Sequence, residues 1–277
     1  MANLVSKINH KGRKGDTIHL PVAIRGSASA KAANNVVTLV TQNASEVTVL
    51  LDKHYEYSFV IEDIVELQGM PSLRRFQTDD AGYALALQVD TDLITLGATF
   101  NSGTAYSGAV IGSDGSTAWN ASANTNTGNG AALTDAAIRR VIQNFDDNDV
   151  PGADRYFVLP PVEKRRLMGV TRFTEQAFTG ESGADNTIRN GLVGDLYGNA
   201  VYVTSNVATV AATDTTTNYR PVLYFQKNSL VLAEQQAVRV QAQYKAEALG
   251  TLVVADTVYG VKQVRTPGAL AIMVPAL

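Results

Sequence analysis

One ordered stretch, from Thr134 to Asn206, constrains the fold of this chain more than any other part of it. Thr134 is a suitable helix N-cap, and apolar residues follow it at the i, i+3, i+4, i+7 spacing of an amphipathic helix. An acidic run and a proline-containing turn then lead into short strands, predicted over 156–159 and 200–204. The stretch predicts short alternating elements, with an apolar helix face formed by Ile138, Val141, Ile142 and Phe145.

The composition limits the classes of function that fit. Only 18% of the 277 residues are charged, against roughly 25% in soluble globular chains, which favours a protein whose surface is partly covered in an assembly. The net charge of −3 argues against tight nucleic-acid binding, because neutralising phosphates requires clustered lysine and arginine. The chain has no cysteine, which excludes disulfide bonds and cysteine-based metal or redox sites.

The N-terminal segment carries a basic cluster, formed by Lys7, Lys11, Arg13 and Lys14. Two interpretations stay open: a solvated terminal segment, or a contact to the acidic face of a neighbour or to packaged nucleic acid. The segment lacks the apolar run of a signal peptide. The longest uncharged apolar stretch, residues 268–277, is about half of the ~20 residues that a membrane helix needs. We therefore expect a soluble, cytosolic product with no membrane partner.

Residues 16–61 predict extended chain. The run from Thr17 to Ile24 is rich in β-branched residues and contains Pro21, which suits an edge strand or an exposed ribbon. A segment of small residues separates it from a second β-rich run, so the two arms predict a projecting β-hairpin. From Tyr55 to Ile61, aromatic and aliphatic residues alternate with mostly polar ones, which indicates a strand with one apolar face.

Residues 71–98 predict one long helix, since Pro71 is acceptable in a first helical turn. At ~1.5 Å per residue the helix would be about 42 Å long, and a helix of that length requires a large surface to lie across. Its apolar stripe, at spacings of three and four, consists of Leu85, Val89, Leu93 and Leu96.

Residues 101–133 contain six glycines and a single charge, Asp114. Such a composition predicts a long loop, which we expect at an exposed or subunit-facing edge. Trp119 in this segment is either a local packing anchor or a platform for a ligand, and the first interpretation is the more common one for a lone tryptophan.

The C-terminal part is predicted to be rich in strands, at 221–225 and 230–232 and in a last run, A-L-A-I-M-V. From Val238 to Glu247 apolar and polar residues alternate, which predicts a half-buried antiparallel strand with one wet face. Residues 254–262 predict a turn region. Strands that are separated from helices in this way indicate an α+β fold.

The sequence offers no specific catalytic motif. The three histidines, His10, His19 and His54, all lie in the extended N-terminal region, and Ser182 lacks the second glycine of a nucleophile elbow. The acidic run at 146–149 lacks the spacing and terminal glutamate of a calcium-binding EF-hand loop, and no Gly-Lys pair supplies a phosphate-binding loop. We therefore predict no catalytic residue, no bound metal and no cofactor.

In this order, the motifs resemble the major capsid protein family of tailed bacteriophages (Caudoviricetes), which has the Hong Kong 97 fold. G-D-T-I-H-L-P-V resembles the extended loop of that family, and P-S-L-R-R-F through L-I-T-L-G resembles its spine helix. N-D-V-P-G-A-D-R-Y-F-V-L-P-P and G-D-L-Y-G-N-A-V-Y-V-T-S-N resemble motifs of its axial domain. V-R-V-Q-A-Q-Y-K through V-K-Q-V-R-T-P-G-A-L-A resembles its peripheral strands and final axial strand.

The resemblance implies a division of the chain into the family's parts. These are an N-terminal arm (1–15), an extended hairpin loop (16–57), a peripheral domain with the spine helix and glycine-rich loop (58–133), an axial domain (134–225), returning peripheral strands (226–262) and a last axial strand (263–277).

The resemblance also implies a structural, non-enzymatic function in the virion. Subunits of this kind assemble in the host bacterial cytoplasm into hexamers and pentamers of an icosahedral shell, with portal and scaffolding proteins as partners. Packaged double-stranded DNA is expected to make weak, non-specific contact. The alternatives are a bacterial nanocompartment shell protein, another virion component or β-rich adhesin, and an enzyme with a dispersed site.

Contacts between subunits are predicted at exposed charged and polar positions and on the hairpin. Some relatives crosslink lysine to asparagine, but nothing in this sequence marks Lys31, Asn34 or Asn35 as reactive, so we predict no crosslink. The predicted contact residues are Ile18, Arg25, Lys31, Asn34, Asn35, Arg74, Arg75, Asp90, Asp92, Arg165 and Arg166.

Overall fold

A computed structural model describes residues 1–11, 14–22, 28, 30–34, 36, 45–69, 73–170 and 195–277. Within these ranges the strands are β1 (Ser6–Asn9), β2 (Thr17–Val22), β3 (Ser45–Leu50), β4 (Lys53–Glu62), β5 (Val110–Ile111), β6 (Arg155–Leu159), β7 (Ala200–Val203), β8 (Val210–Ala211), β9 (Asn218–Gln226), β10 (Leu230–Lys245), β11 (Gly250–Gln263) and β12 (Ala269–Pro275). The helices are α1 (Asp63–Gln68), α2 (Leu73–Thr95), α3 (Ala123–Asn126), α4 (Asp135–Asp147) and α5 (Pro161–Leu167).

The first sheet has four strands in the order β1-β10-β11-β4. Its β1 is parallel to β10, and the other pairs are antiparallel. Helix α2 lies across this sheet, with Ala81 and Leu85 buried against Ala255 of β11 and the aromatic side chains of β4. The apolar face predicted from the alternation of Tyr55, Tyr57 and Phe59 is therefore the face that packs under α2. We call this sheet with α1 and α2 the peripheral unit.

The second sheet has the order β5-β12-β9-β6-β7, with β8 paired to β9. Its two faces bury separate cores. Helix α4 covers one face with Ile138, Val141 and Phe145, and its N-cap Thr134 accepts a hydrogen bond from the backbone N–H of Ala137, as the sequence predicted. The other face packs against the end of α2, residues 96–133 and the first residues of β10. We call this part the axial unit.

Strands β2 and β3 form a two-stranded hairpin, in register from Thr17 opposite Leu50 to Val22 opposite Ser45. Its base packs Ile18 and Leu20 against a small cluster that includes Ala233 of β10. The hairpin is shorter than the predicted loop of residues 16–57, because β4 begins at residue 53 and belongs to the peripheral sheet. That boundary follows from burial, since α2 covers the tyrosines of β4.

The long helix was predicted over residues 71–98, of which 71 and 72 lie outside the described residues. Helix α2 runs from Leu73 to Thr95 and continues as a 3₁₀ segment over Leu96–Ser102. In the following loop, Trp119 is buried and packs edge-to-face on Tyr219, with ring centroids 6.3 Å apart. Trp119 is thus a packing anchor, as the first interpretation held. None of the described helices is long and apolar enough to span a membrane.

Two predictions in the C-terminal part are wrong. Residues 254–262, predicted as a turn region, lie inside β11, which pairs with both β10 and β4. Within this strand Gly260 allows a close approach, since a Cβ at this position would lie 1.9 Å from the carbonyl oxygen of Leu50. The strand predicted to be half-buried from Val238 onward is instead the exposed end of the 16-residue β10.

Candidate assembly surfaces

The far half of β10 is exposed, although its partner strand β11 packs under α2 at Ala255. Two register shifts, between Glu234 and Gln236 and between Gln236 and Arg239, interrupt the pairing with β11. Such bulges bend a strand and increase its twist. Before them the strand is buried, and after them every residue is exposed. We call β10 from residue 238 to 245, with its partner strand, the distal ribbon.

One face of the distal ribbon is apolar. Val240 lies opposite Ala255, which packs under α2, so its side chain points to the same face of the sheet. Tyr244 lies on that face too, and Val238 lines an apolar cleft of about 250 Å³ beside α2. These three side chains are 52–55% exposed. A contiguous apolar row of this kind marks a surface for contact with another molecule.

The opposite face of the distal ribbon is polar and internally paired. Asp256 is buried and accepts two hydrogen bonds from Arg239, at 3.1 and 2.9 Å, and one from Gln236 at 2.7 Å. His54 lies 3.6 Å from the same carboxylate. The hydrogen bonds from Arg239, more than any other cause, lower the pKa of Asp256 below its ordinary value. This face is therefore occupied by its own ion pair, and the apolar face is the one open to a partner.

The hairpin is the second extended surface. A two-stranded hairpin is marginally stable alone in water, and the described part of this one is tied to the body mainly at its base. There, Ile18 and Leu20 pack against the cluster with Ala233, and the N–H of Leu51 donates to the carbonyl of Asp16 at 2.7 Å, which closes the hairpin. His19 and Glu46 pair across its strands at 3.2 Å, and both are largely exposed. The arms thus gain stability only where another surface covers them.

The acidic run after α4 serves the fold. Asp146 pairs with Arg155 at 2.7 Å, and the side chain of Arg155 is almost fully buried. Among the described residues no cluster of histidine, aspartate and glutamate is arranged to hold a metal ion. Ser182 lies outside the described residues. The geometry of the described chain thus offers surfaces for contact with other molecules.

The comparisons with known proteins agree with such a role. The sequence model of a family described as phage capsid protein matches residues 46–272, which is most of the chain. The chain belongs to this family. A search of curated protein sequences finds no match.

Solved phage structures share the fold of this capsid protein. A structure from Mycobacterium phage Che8 superposes with a TM-score of 0.73 at 20% identity, over 98% of this chain and 89% of that one. The capsid of cyanophage P-SCSP1u gives 0.72 at 19% identity, over 98% and 86%. The head of Helicobacter pylori bacteriophage KHP40 gives 0.69 at 13% identity, over 98% and 88%. The α+β fold is therefore that of phage capsid proteins, and the chain is a capsid-forming structural protein of the virion.

The structure places the predicted contact residues of this capsid protein in different settings. Exposed positions are Lys31, Asn34, Arg74, Arg75 and Arg165, while Arg25 and Asn35 lie outside the described residues. Ile18 is half-buried in the hairpin base. For each of these residues, a contact with a neighbouring subunit stays a prediction.

Several predicted contact residues have partners inside the subunit, and Arg75 lies 3.9 Å from Asp79. Asp90 lies 3.2 Å from the N-terminal ammonium group. Asp92 accepts a hydrogen bond from the hydroxyl of Tyr259 at 2.7 Å and is only 10% exposed. Arg166 pairs with the fully buried Glu163. These internal partners leave Asp92 in particular little surface for a neighbour.

Sequence reasoning missed the apolar row of the distal ribbon. The alternation from Val238 to Tyr244 is the same whether the apolar face is covered by the chain itself or by another molecule, so the pattern alone indicated burial. A usable signal was the length of the uninterrupted β-pattern compared with the length of α2. Helix α2 has 23 residues, which is too short to cover both the sheet and the distal ribbon.

Proposed function

We propose that this protein is the major capsid protein of a tailed-phage head, in which hexamers and pentamers of the chain form an icosahedral shell around double-stranded DNA. The observation that carries the proposal is the exposed apolar row of the distal ribbon, in a chain that belongs to the phage capsid family. Identical subunits with such surfaces bury them by closing symmetrically on one another.

The partners follow from the same proposal. A portal and a scaffolding protein act during assembly in the host cytoplasm, and no cofactor or metal takes part. The net charge of −3 supports weak, non-specific contact with DNA, because strong binding to phosphates requires clustered cations. Weak contact also suits a container that must release its contents.

The test is negative-stain electron microscopy of the expressed protein with its sedimentation profile, with and without a co-expressed scaffold. Polyhedral shells, or rings of five and six subunits, are expected. A discrete small oligomer under both conditions would refute the proposal.

A deletion variant tests the role of the hairpin. Deleting residues 26–36 should leave the subunit folded and impair assembly, because the arms then lack their reach to a neighbour. Replacing the same residues with a glycine-serine segment of equal length is the matched control, since it separates the effect of length from that of side chains. Normal particles from the deletion variant would exclude a role of the hairpin tip between subunits.

A further inference from the structure

The outer end of the peripheral unit carries an exposed apolar surface with an acidic rim. It lies where α1 meets the turn between β10 and β11, and it encloses a groove of about 630 Å³. Leu67 is 86% exposed, Leu249 67% and Ile64 57%. We call this surface the peripheral tip. It consists of Glu62, Asp63, Ile64, Leu67, Glu247 and Leu249.

The backbone at the peripheral tip holds Leu249 in an unfavourable conformation. Its φ of 42° and ψ of 48° lie in the left-handed region, which leucine rarely adopts. The next residue, Gly250, is pressed against β4, since a Cβ there would lie 2.4 Å from the carbonyl oxygen of Ile61. The N–H of Asp63 donates to the carbonyl of Leu249 at 2.9 Å. The turn is thus clamped, and it presents a leucine outward that buries little within its own subunit.

Two carboxylates of the peripheral tip, Glu62 and Glu247, have no cationic partner in the part of the chain that the structure describes. Asp63 accepts a hydrogen bond from the hydroxyl of Tyr244 at 3.0 Å. For Glu62 and Glu247, no lysine or arginine of the described residues lies within ion-pair distance. An occupant of the groove would therefore combine an apolar group with a positive charge.

The chain itself contains a surface of that chemistry at the start of α2. Phe76 is 69% exposed. Its neighbour Arg75 is 88% exposed and lies 3.9 Å from Asp79, at the limit of an ion pair. An aromatic ring beside an exposed guanidinium, held only by this long ion pair, matches the apolar floor and acidic rim of the peripheral tip in both respects.

We propose that the peripheral tip of one subunit receives Phe76 and Arg75 of a second copy of this chain, with the ring against Leu67 and Leu249 and the guanidinium beside Glu247. The inference rests on the proposed function, because it names a contact between subunits of the shell. The two surfaces are different patches of the chain, so the contact is head-to-tail. Contacts of this type form a ring when the rotation from one subunit to the next closes on itself.

Charge reversal tests the pairing. Glu247→Arg and Arg75→Glu should each raise the critical concentration for assembly about tenfold, since close charge pairs across interfaces couple by about 1.5 kcal/mol or more. The double variant should restore it to within about threefold. Asp195→Arg, an exposed acid in the axial unit, is the matched control and should assemble like the unaltered protein. Light scattering against protein concentration gives the readout, with a thermal melt to verify folding.

Leu249→Gly separates the contact from the fold. Glycine accepts the left-handed conformation without strain, so the melting temperature should hold or rise while assembly weakens.

The results of these experiments distinguish failure of the proposed contact from failure of the proposed function. Single reversals that assemble normally, or a double variant that stays impaired, would overturn the proposed contact while leaving shell formation intact. Failure of the unaltered protein to form shells would overturn the proposed function and this contact with it.

Discussion

Replacing Arg155 with methionine should cost the subunit a large share of its stability. Arg155 opens β6, and its guanidinium donates to the carbonyls of Val150 at 2.6 Å and Pro151 at 2.9 Å. It also donates to Asp146 at 2.7 Å and lies 5.7 Å from the centre of the Phe145 ring. One buried side chain thus ties the turn after α4 to both α4 and the second sheet.

The magnitude follows from what each lost contact leaves behind. A buried acceptor without a donor costs about 1–3 kcal/mol, and the substitution strands two carbonyls, one of them only partly buried. The cation–π contact adds about 1 kcal/mol. The ion pair adds about 1 kcal/mol, because Arg155 is buried but the carboxylate of Asp146 is 60% exposed and screened by solvent. We therefore expect the free energy of unfolding to fall by about 3–5 kcal/mol.

Urea unfolding of the dissociated subunit measures this change. Asp146→Ala is the comparison variant, since it removes the ion pair and leaves both carbonyls bonded, and it should cost at most about 1 kcal/mol. A loss below about 1 kcal/mol for Arg155→Met, or an equal loss for both variants, would refute the assignment of stability to the two carbonyl bonds.

Three further predictions use the same subunit or its particles. Gly260→Ala should lower the free energy of unfolding by about 1–3 kcal/mol, because the new Cβ would overlap a backbone oxygen of β3. Gly82→Ala should raise it by about 0.5–1 kcal/mol, because the position lies in the middle of α2 with open space around it. Urea unfolding that ranks the two variants otherwise would contradict this reasoning. Arg239 lowers the pKa of Asp256 below its ordinary 3.8. The Asp256 carboxylate therefore stabilises the fold above pH 3.8, and this stabilisation is lost as the pH falls through the lowered pKa. Asp256→Asn should be about 1 kcal/mol less stable than the unaltered protein at pH 7, with the difference shrinking below pH 3.8, and a pH-independent difference would exclude this linkage. Particles should dissociate to single chains on a denaturing gel, and a covalent ladder that Lys31→Ala abolishes would show the crosslink that we predict to be absent.

The parts that sequence predicted well depend on local signals. Helix α4 is specified by a cap that acts within three residues and by an apolar face that recurs at spacings of three and four. The hairpin follows from two β-rich runs separated by small residues, and the antiparallel pairing of β2 with β3 confirms its described arms. The apolar face of β4 follows from alternation, which its packing under α2 confirms. In each case the residues that carry the pattern are also those that make the contact.

The parts that sequence predicted badly depend on distant chain. Residues 254–262 were predicted as a turn region, yet Gly260 makes room for the hairpin base and Asp256 pairs across the sheet with Arg239. Leu249 follows no turn preference, because the close packing of Gly250 against β4 fixes its conformation. The exposure of the distal ribbon depends on where α2 lies, and the alternation within β10 carries no information about that.

Strand β10 has a mechanical consequence for the proposed shell. Its 16 residues span about 53 Å at ~3.3 Å per residue, from the buried Leu230 to the exposed Lys245. Packing DNA into a closed shell stretches its wall. A strand pulled along its own axis loads its ladder of hydrogen bonds simultaneously, in shear, whereas a strand peeled from one end yields bond by bond. Strand β10 thus connects the axial unit to the outer end of each subunit and resists stretching along its length. A shell wall under tension should therefore separate at the contacts between subunits before any single chain unfolds.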